Sequence, residues 1–350
     1  MLQAAMADYR QAFLDVLGDV DDLDVRFLIG EEYFDPTIRS NVTSHLVRVR
    51  PRNVYLLGRR LLWQKGVLRE ALSADVVIVE LNPHILTSWA VAFGRRVLRR
   101  PVAAWGHAWP RQGREARTEP IRAVFRQLAG TVLLYSYRHQ HEMRLAQPGI
   151  ETYVVPNSMF RRDALAPVTG PAEDFVYVGR IVAEKRVDLL LEAFARVAGE
   201  AQGRLTIVGD GPARVEAEEF AEQLGIRDRV KFTGHIANPG LLRHHYSRAL
   251  CAVIPGTVGL GATQALGWGV FVLYPDAGAH GPEVDQLTDV NSRAFRAGSV
   301  ESLAAAMAGA VRDAELRRDM RSFICQEIAG RYSAERMANN FVEAVRAIND

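Results

Sequence analysis

Two permanent cations, Arg180 and Lys185, stand five residues apart in DFVYVGRIVAEKRVDLLLEAF (174–194), where an apolar run closes on Gly179 and an amphipathic helical pattern follows. A turn from a strand's carboxyl end into a helix can grip a diphosphate, Arg by a bidentate fork and Lys as a point charge. An exposed surface pair has the same spacing, so the stretch decides nothing alone. A second stretch, CAVIPGTVGLGATQALGWGV (251–270), reads as strand, glycine-rich turn, helix and strand without one acidic side chain. Val258, Gly259 and Leu260 open the helix. Its first N–H groups lack intrahelical partners and carry partial positive charge, and a glycine there lets an anion approach the main chain.

Weaker signals accompany these. LTIVGDGPA (205–213), with Gly209 at its turn, resembles a dinucleotide-binding turn but lacks the full GxGxxG. His107 in WGHAW (105–109) follows a predicted strand, where the functional residues of doubly wound folds gather; a structural hydrogen bonder is the competing reading. The Asp-x-Asp spacing in DVDDLD (19–24) precedes a predicted strand and so falls at its amino end, away from the ligand side. His244 and His245 are adjacent on a predicted helix and lack the i, i+4 spacing of a helical metal site. No metal and no cofactor is expected.

The elements that must position these residues alternate along the chain. Apolar runs at 25–29, 54–57, 76–79, 102–104 and 132–135 alternate with helical patterns around 59–72, 86–98, 117–129 and 137–146. A second array follows, with strands at 175–178, 205–208, 230–233, 252–254 and 270–274. Near-continuous apolar strands between amphipathic helices imply parallel sheets covered on both faces. The fold class expected is α/β, two doubly wound Rossmann-like domains facing across a cleft. Residues 1–157 form the first domain, 158–173 a linker rich in Pro, Ala and Gly, and 174–332 the second. In the last helix, 333–350, Met337, Phe341, Val345 and Ile348 share one stripe, so the helix packs against something, and the first domain is the expected partner.

A chain of 350 residues suits two domains better than one, and 48% hydrophobic with 24% charged residues is an ordinary globular composition. Cys251 and Cys325 are cytosolic usage. No apolar run approaches a membrane span, and no signal-peptide pattern opens the chain. The expected location is cytoplasmic. Net charge is +2, yet residues 41–170 carry 20 Lys/Arg against 8 Asp/Glu, with a cluster at Arg95, Arg96, Arg99, Arg100, Arg111, Arg114, Arg117, Arg122 and Arg126. This suits a solvated surface, or a face for anionic lipid at the inner side of a membrane or for a phosphate-bearing acceptor. Nucleic acid is disfavoured, because no basic stripe is interleaved with stacking aromatics.

FVYVGRIVAEKRVDLLLEAF, LTIVGDGP, VKFTGHI (230–236) and the 251–270 stretch, in that order, resemble the nucleotide-binding domain of family-4 retaining glycosyltransferases, of GT-B architecture. VVIVELNPHILTSWA (76–90) and PVAAWGHAW (101–109) are more loosely similar to an acceptor domain with a Trp-Gly-His-Gly-like turn. The resemblance implies a nucleoside-diphosphate sugar as donor and a hydroxyl acceptor, lipid-linked, polysaccharide or a small natural product. It places Gly179, Arg180, Lys185 and Gly209 by the diphosphate, His235 and Ile236 by the nucleobase, and His107 by the transferred sugar. The family's turn usually carries two glutamates eight residues apart, whose positions fall here on Gly256 and Gln264. Gln264 can still hydrogen-bond a ribose hydroxyl, and Glu283 in HGPEV (280–284) is a candidate sugar contact. A deoxysugar donor, or a protein that no longer catalyses and acts as a partner or scaffold, would equally explain the missing acids. A nucleotide-sugar epimerase shares the fold, and a dehydrogenase is disfavoured because GDGP is incomplete and no acidic ribose partner follows it at the expected spacing. The chain enters its first helix almost at once, so the first strand is either cut to Leu2-Gln3 or preceded by residues upstream.

Overall fold

The structure, a computed structural model, describes residues 1–110 and 112–349, so Arg111 of the arginine cluster lies outside the described residues. The chain divides into two units, Met1–Arg161 joined by the chain from Tyr332 onward, and Arg162–Arg331.

The first unit begins with β1 (Leu2–Gln3), α1 (Gln11–Gly18), β2 (Phe27–Ile29) and β3 (Val47–Val49), then β4 (Arg52–Leu56), β5 (Leu61–Lys65) and α2 (Leu68–Ser73). It continues through β6 (Val77–Glu80), α3 (Leu86–Val97), β7 (Val102–Gly106), α4 (Glu119–Ala129), β8 (Thr131–Leu134), α5 (Tyr137–Ala146) and β9 (Glu151–Val154). Strands β1-β2-β3 and β6-β7-β8-β9 form two parallel sheets, with β1 running beside β6. Successive side chains leave a strand on opposite faces, and the cores follow that period of two. Val77, Val79, Val102, Ala104 and Val132 pack with Phe125 of α4, whereas Ile78, Ala103, Trp105 and Leu133 pack with Phe13 of α1. The second face is completed by the C-terminal helix, Ala334–Asn349, whose Phe341 ring lies 5.7 Å from Phe13 and 5.6 Å from Trp105.

One segment differs from the sequence reading. The run 54–57 belongs to an antiparallel hairpin, β4 with β5, and residues 61–65 of the expected helix 59–72 form its second strand. Leu57, Gly58 and Arg59 take consecutive left-handed conformations (φ 50°, 63° and 65°), which no α-helix can contain. Arg59 holds this turn by donating to Glu32 Oε1 at 2.8 Å and to the Tyr33 and Phe34 carbonyls at 2.6 and 3.0 Å, with its guanidinium 3.8 Å from the Tyr55 ring centre. Tertiary hydrogen bonds there override a sequence with good helix formers.

The second unit runs β10 (Asp174–Val178), α6 (Val187–Val197), β11 (Leu205–Val208), α7 (Arg214–Gln223), β12 (Val230–Gly234), α8 (Pro239–Ser247) and β13 (Ala249–Val253). It ends with α9 (Leu260–Gly267), β14 (Val272–Pro275), β15 (Ser292–Phe295), α10 (Val300–Arg312), α11 (Ala314–Asp319) and α12 (Arg321–Tyr332). All six strands are parallel in the order β12-β11-β10-β13-β14-β15. The order reverses between β10 and β13, and the loops after those two strands are where an open parallel sheet binds ligands. The fold is the parallel α/β class the strand pattern implies. Among the described residues no helix is long and apolar enough to cross a membrane.

Candidate active site

In the second unit the reversal point brings together the two stretches that carry the cations and the glycines. The loop after β10 places Arg180 at the surface, and no hydrogen bond or ion pair of its guanidinium is seen among the described residues. Its backbone is held instead, because the Tyr177 hydroxyl donates to the Arg180 carbonyl at 2.7 Å. Lys185 closes a 3-10 turn, and its Nζ donates to the Thr257 carbonyl at 2.8 Å and to Thr257 Oγ1 at 3.1 Å. This ties the loop after β13 to the loop after β10.

That tie leaves no room at residue 256. A Cβ on Gly256 would lie 2.2 Å from the Glu184 carbonyl oxygen and 2.8 Å from Lys185 Cα, both backbone atoms. The glycine is required by contact between two main chains, so the position expected for a glutamate cannot carry any side chain in this arrangement. Gly209 is similar in kind: at φ 148°, a Cβ would meet the Gly179 carbonyl oxygen at 1.9 Å. Gly209 therefore welds the β11 turn to the β10 turn. Its N–H donates to the Gly234 carbonyl at 2.9 Å and is not free for a ligand.

Of the three residues expected to offer amides, Val258 is occupied, since its N–H donates to His280 Nδ1 at 3.1 Å. Gly259 is the N-cap of α9 and has no side-chain cap, and nothing would stand within 4 Å of a Cβ there. The N–H groups of Gly259, Leu260 and Gly261 are thus the open end of an eight-residue helix, with the partial positive charge such ends carry. Gln264 is half-buried on that helix, and His235 is exposed and Ile236 half-buried after β12. Glu283 is buried in the short 3-10 turn Pro282–Gln286 that packs on α9. Thr257 and His280 lie within the 251–270 and HGPEV stretches, but nothing local marks either as a contact: each acts through a partner distant in sequence.

The first unit gathers a different set at the carboxyl ends of β1, β6, β7 and β8. Glu80, at the end of β6, accepts the Ala4 N–H at 3.0 Å, and burial pushes its carboxyl above the usual range against the pull of that N–H and of Tyr33. Burial also raises the Tyr33 and Tyr135 hydroxyls, the Glu80 charge adding to both. Arg10 is buried with its guanidinium 4.8 Å from the Trp105 ring centre and 5.1 Å from that of Tyr135, and its Nη2 donates to Asn157 Oδ1 at 2.9 Å. Arg122 donates to the carbonyls of Leu81 and His107 at 2.8 and 3.1 Å.

His107 follows β7 with its ring 5.1 Å from that of Tyr135. Part of the side chain reaches the surface, yet loss of water around the ring, and then His139, Arg122 and Arg10, push its pKa down to about 4. It is a neutral imidazole at neutral pH. Nothing in the local sequence marked Arg10, Tyr33 or Glu80, which come from three segments distant in sequence.

Comparison with known proteins is most specific for the second unit. Residues 166–324 match the model of the family described as Glycosyl transferases group 1. Alpha-D-kanosaminyltransferase of Streptomyces kanamyceticus is 42% identical over 64 residues, 18% of this chain and 17% of that protein. N-acetyl-alpha-D-glucosaminyl L-malate synthase of Bacillus anthracis is 25% identical over 209 residues, 57% of this chain and 54% of that one. The chain thus spans less than a fifth of the first relative's length and about half of the second's. Anabaena Alr3699/HepE, solved in complex with UDP, shares the fold over 99% of both chains with a TM-score of 0.69 at 18% identity. The same protein has also been solved with UDP-glucose. The whole-chain likeness fixes the fold as that of the GT-B glycosyltransferases.

Proposed function

We propose that this chain, with its GT-B fold and its group 1 glycosyltransferase segment at 166–324, transfers a sugar from a nucleoside diphosphate to a hydroxyl acceptor. The second unit would take the donor and the first the acceptor. The observation that carries the reading is the pairing, at the reversal point of one sheet, of the exposed Arg180 with the uncapped N-terminus of α9. Together they offer a guanidinium and main-chain N–H groups of the kind a diphosphate requires. The binding of UDP and UDP-glucose by the Anabaena neighbour favours a uridine diphosphate sugar among the candidates.

Transfer would proceed on the front face, with retention and without metal. The bond from the anomeric carbon to the diphosphate oxygen breaks, the acceptor oxygen bonds from the same side, and its proton passes to the departing phosphate oxygen. Catalysis is then mostly stabilisation of leaving-group charge, in which one contact is worth about 3 kcal/mol. The closed position at Gly256 favours a second reading, a non-catalytic partner protein, since the carboxylate cannot be restored there. A thermal-shift series with UDP, GDP, dTDP and their sugars, without metal, separates the two. At one hundred times its dissociation constant a ligand adds about 2.7 kcal/mol of stability. One nucleotide should stabilise the wild type and not Arg180→Ala, with sugar transfer following in an acceptor screen. No shift with any donor at millimolar concentration would leave the partner reading standing.

A further inference from the structure

We infer that the outer face of α3 and α4 in the first unit is a docking surface for an anionic lipid bilayer. A helix that covers a sheet turns its outer face to water and should be polar there. These two are not. Phe93 and Val97 of α3 and Leu98 just beyond it are 63%, 66% and 54% exposed, and Ile121 and Val124 of α4 are each 55% exposed. The helices are neighbours: Trp89 of α3 lies 4.6 Å from Phe125 of α4, ring centre to ring centre. Apolar residues on adjoining elements mark a contact surface where single ones do not.

Charge selects the occupant. Arg96, Arg99 and Arg100 cluster at the end of α3, and none of them forms an ion pair among the described residues. Helix α3 has no acidic residue, and the one on α4, Glu119, is taken by the buried Arg126. A two-fold contact between copies of this chain would set these arginines against themselves, because such a contact uses the same patch twice. A bilayer rich in anionic lipid satisfies both features: apolar side chains enter the headgroup boundary, and arginine stems lie along apolar surface with their charges among the phosphates. Each arginine near such a surface is worth about fivefold in partition. Helix α7 of the second unit exposes one large apolar residue, Val215, among Glu216, Glu218, Glu219 and Glu222, the mostly polar outer face expected of a water-exposed helix. The inference goes beyond the donor assignment and stands independently of it.

Co-sedimentation of the whole chain with vesicles tests it, using phosphatidylcholine alone and two parts phosphatidylcholine to one part phosphatidylglycerol. The wild type should pellet with the anionic vesicles only, and raised salt should release it. Arg96→Glu/Arg99→Glu should weaken binding at least about twentyfold, and Phe93→Ser/Val97→Ser about tenfold, with near-ultraviolet circular dichroism unchanged. A wild type that stays in the supernatant, or folded double variants that pellet like it, would overturn the inference. So would a dimer on gel filtration that Phe93→Ser/Val97→Ser dissociates, which would assign the face to a second copy.

Discussion

In the second unit the candidate cations stand at loop surfaces, Arg180 exposed and Lys185 reaching Thr257, on turns made tight by Gly209 and Gly256. In the first unit the charged groups gathered at the strand ends lie deeper: Arg10 is buried against aromatic rings, and Glu80 is half-buried with its carboxylate accepting the Ala4 N–H. A surface cation above rigid glycine turns can meet a large charge from solution and costs the fold little. A buried one is part of the core's own structure, and its removal is felt by stability first. Two arginines, Arg10 and Arg180, should therefore behave oppositely when removed.

The sharpest test is Arg10→Ala. It removes a hydrogen bond to Asn157 and a guanidinium packed on Trp105 and Tyr135, and we expect about 3 kcal/mol or more of lost stability in urea denaturation. Arg180→Ala should change stability by no more than about 0.5 kcal/mol, as surface substitutions do. Equal losses would erase the contrast.

Next in size is Gly256→Glu, which places back the side chain that the family resemblance leads one to expect. Because the Cβ would meet the Glu184 carbonyl at 2.2 Å, about 2 kcal/mol of destabilisation should follow, with no gain in transfer. A stable and more active variant would show that the loops yield easily and that the contact between them is not a constraint.

The smallest effect concerns protonation. Nuclear magnetic resonance of the His107 ring should give a midpoint near 4, and Arg122→Gln, removing one neighbouring cation, should raise it. The depressed value means that, between about 4 and the ordinary 6.5, the unfolded chain binds a proton that the folded chain refuses. This group's contribution is therefore present above 6.5 and lost as pH falls through that window. A midpoint near 6.5 would place the ring in bulk water instead.

The contrast also explains what could be read in advance. The buried parallel strands announced themselves as apolar runs, and the stretches with Arg180 and with Gly259 lie in loops directly following two of them, so motif order and spacing placed those loops side by side. Three edge strands did not show: β3 (Val47–Val49), β9 (Glu151–Val154) and β15 (Ser292–Phe295) are short and interleaved with polar residues, whereas the edge strand β12 carries Val230 and Phe232 and was legible. The hairpin at 52–65 was hidden by residues that favour helix, held in left-handed turns through Arg59 by the distant Glu32 and Tyr33. The occupied Val258 amide and the sealed Gly256 depend on contacts with His280 and Glu184, and no local pattern encodes either.

The C-terminal helix has a consequence for the order in which the protein is made. Its Met337 and Phe341 complete the same core as Phe13, Phe27 and Trp105, although the 170 residues 162–331 of the second unit separate them from the rest of the first. During synthesis every residue of the second unit is added before the helix that completes the first. The first unit, begun earlier, must wait with one side of its sheet uncovered until the final helix arrives. A fragment ending at Arg161 would carry that uncovered side permanently, whereas a fragment of 162–331 would lack nothing of its own sheet.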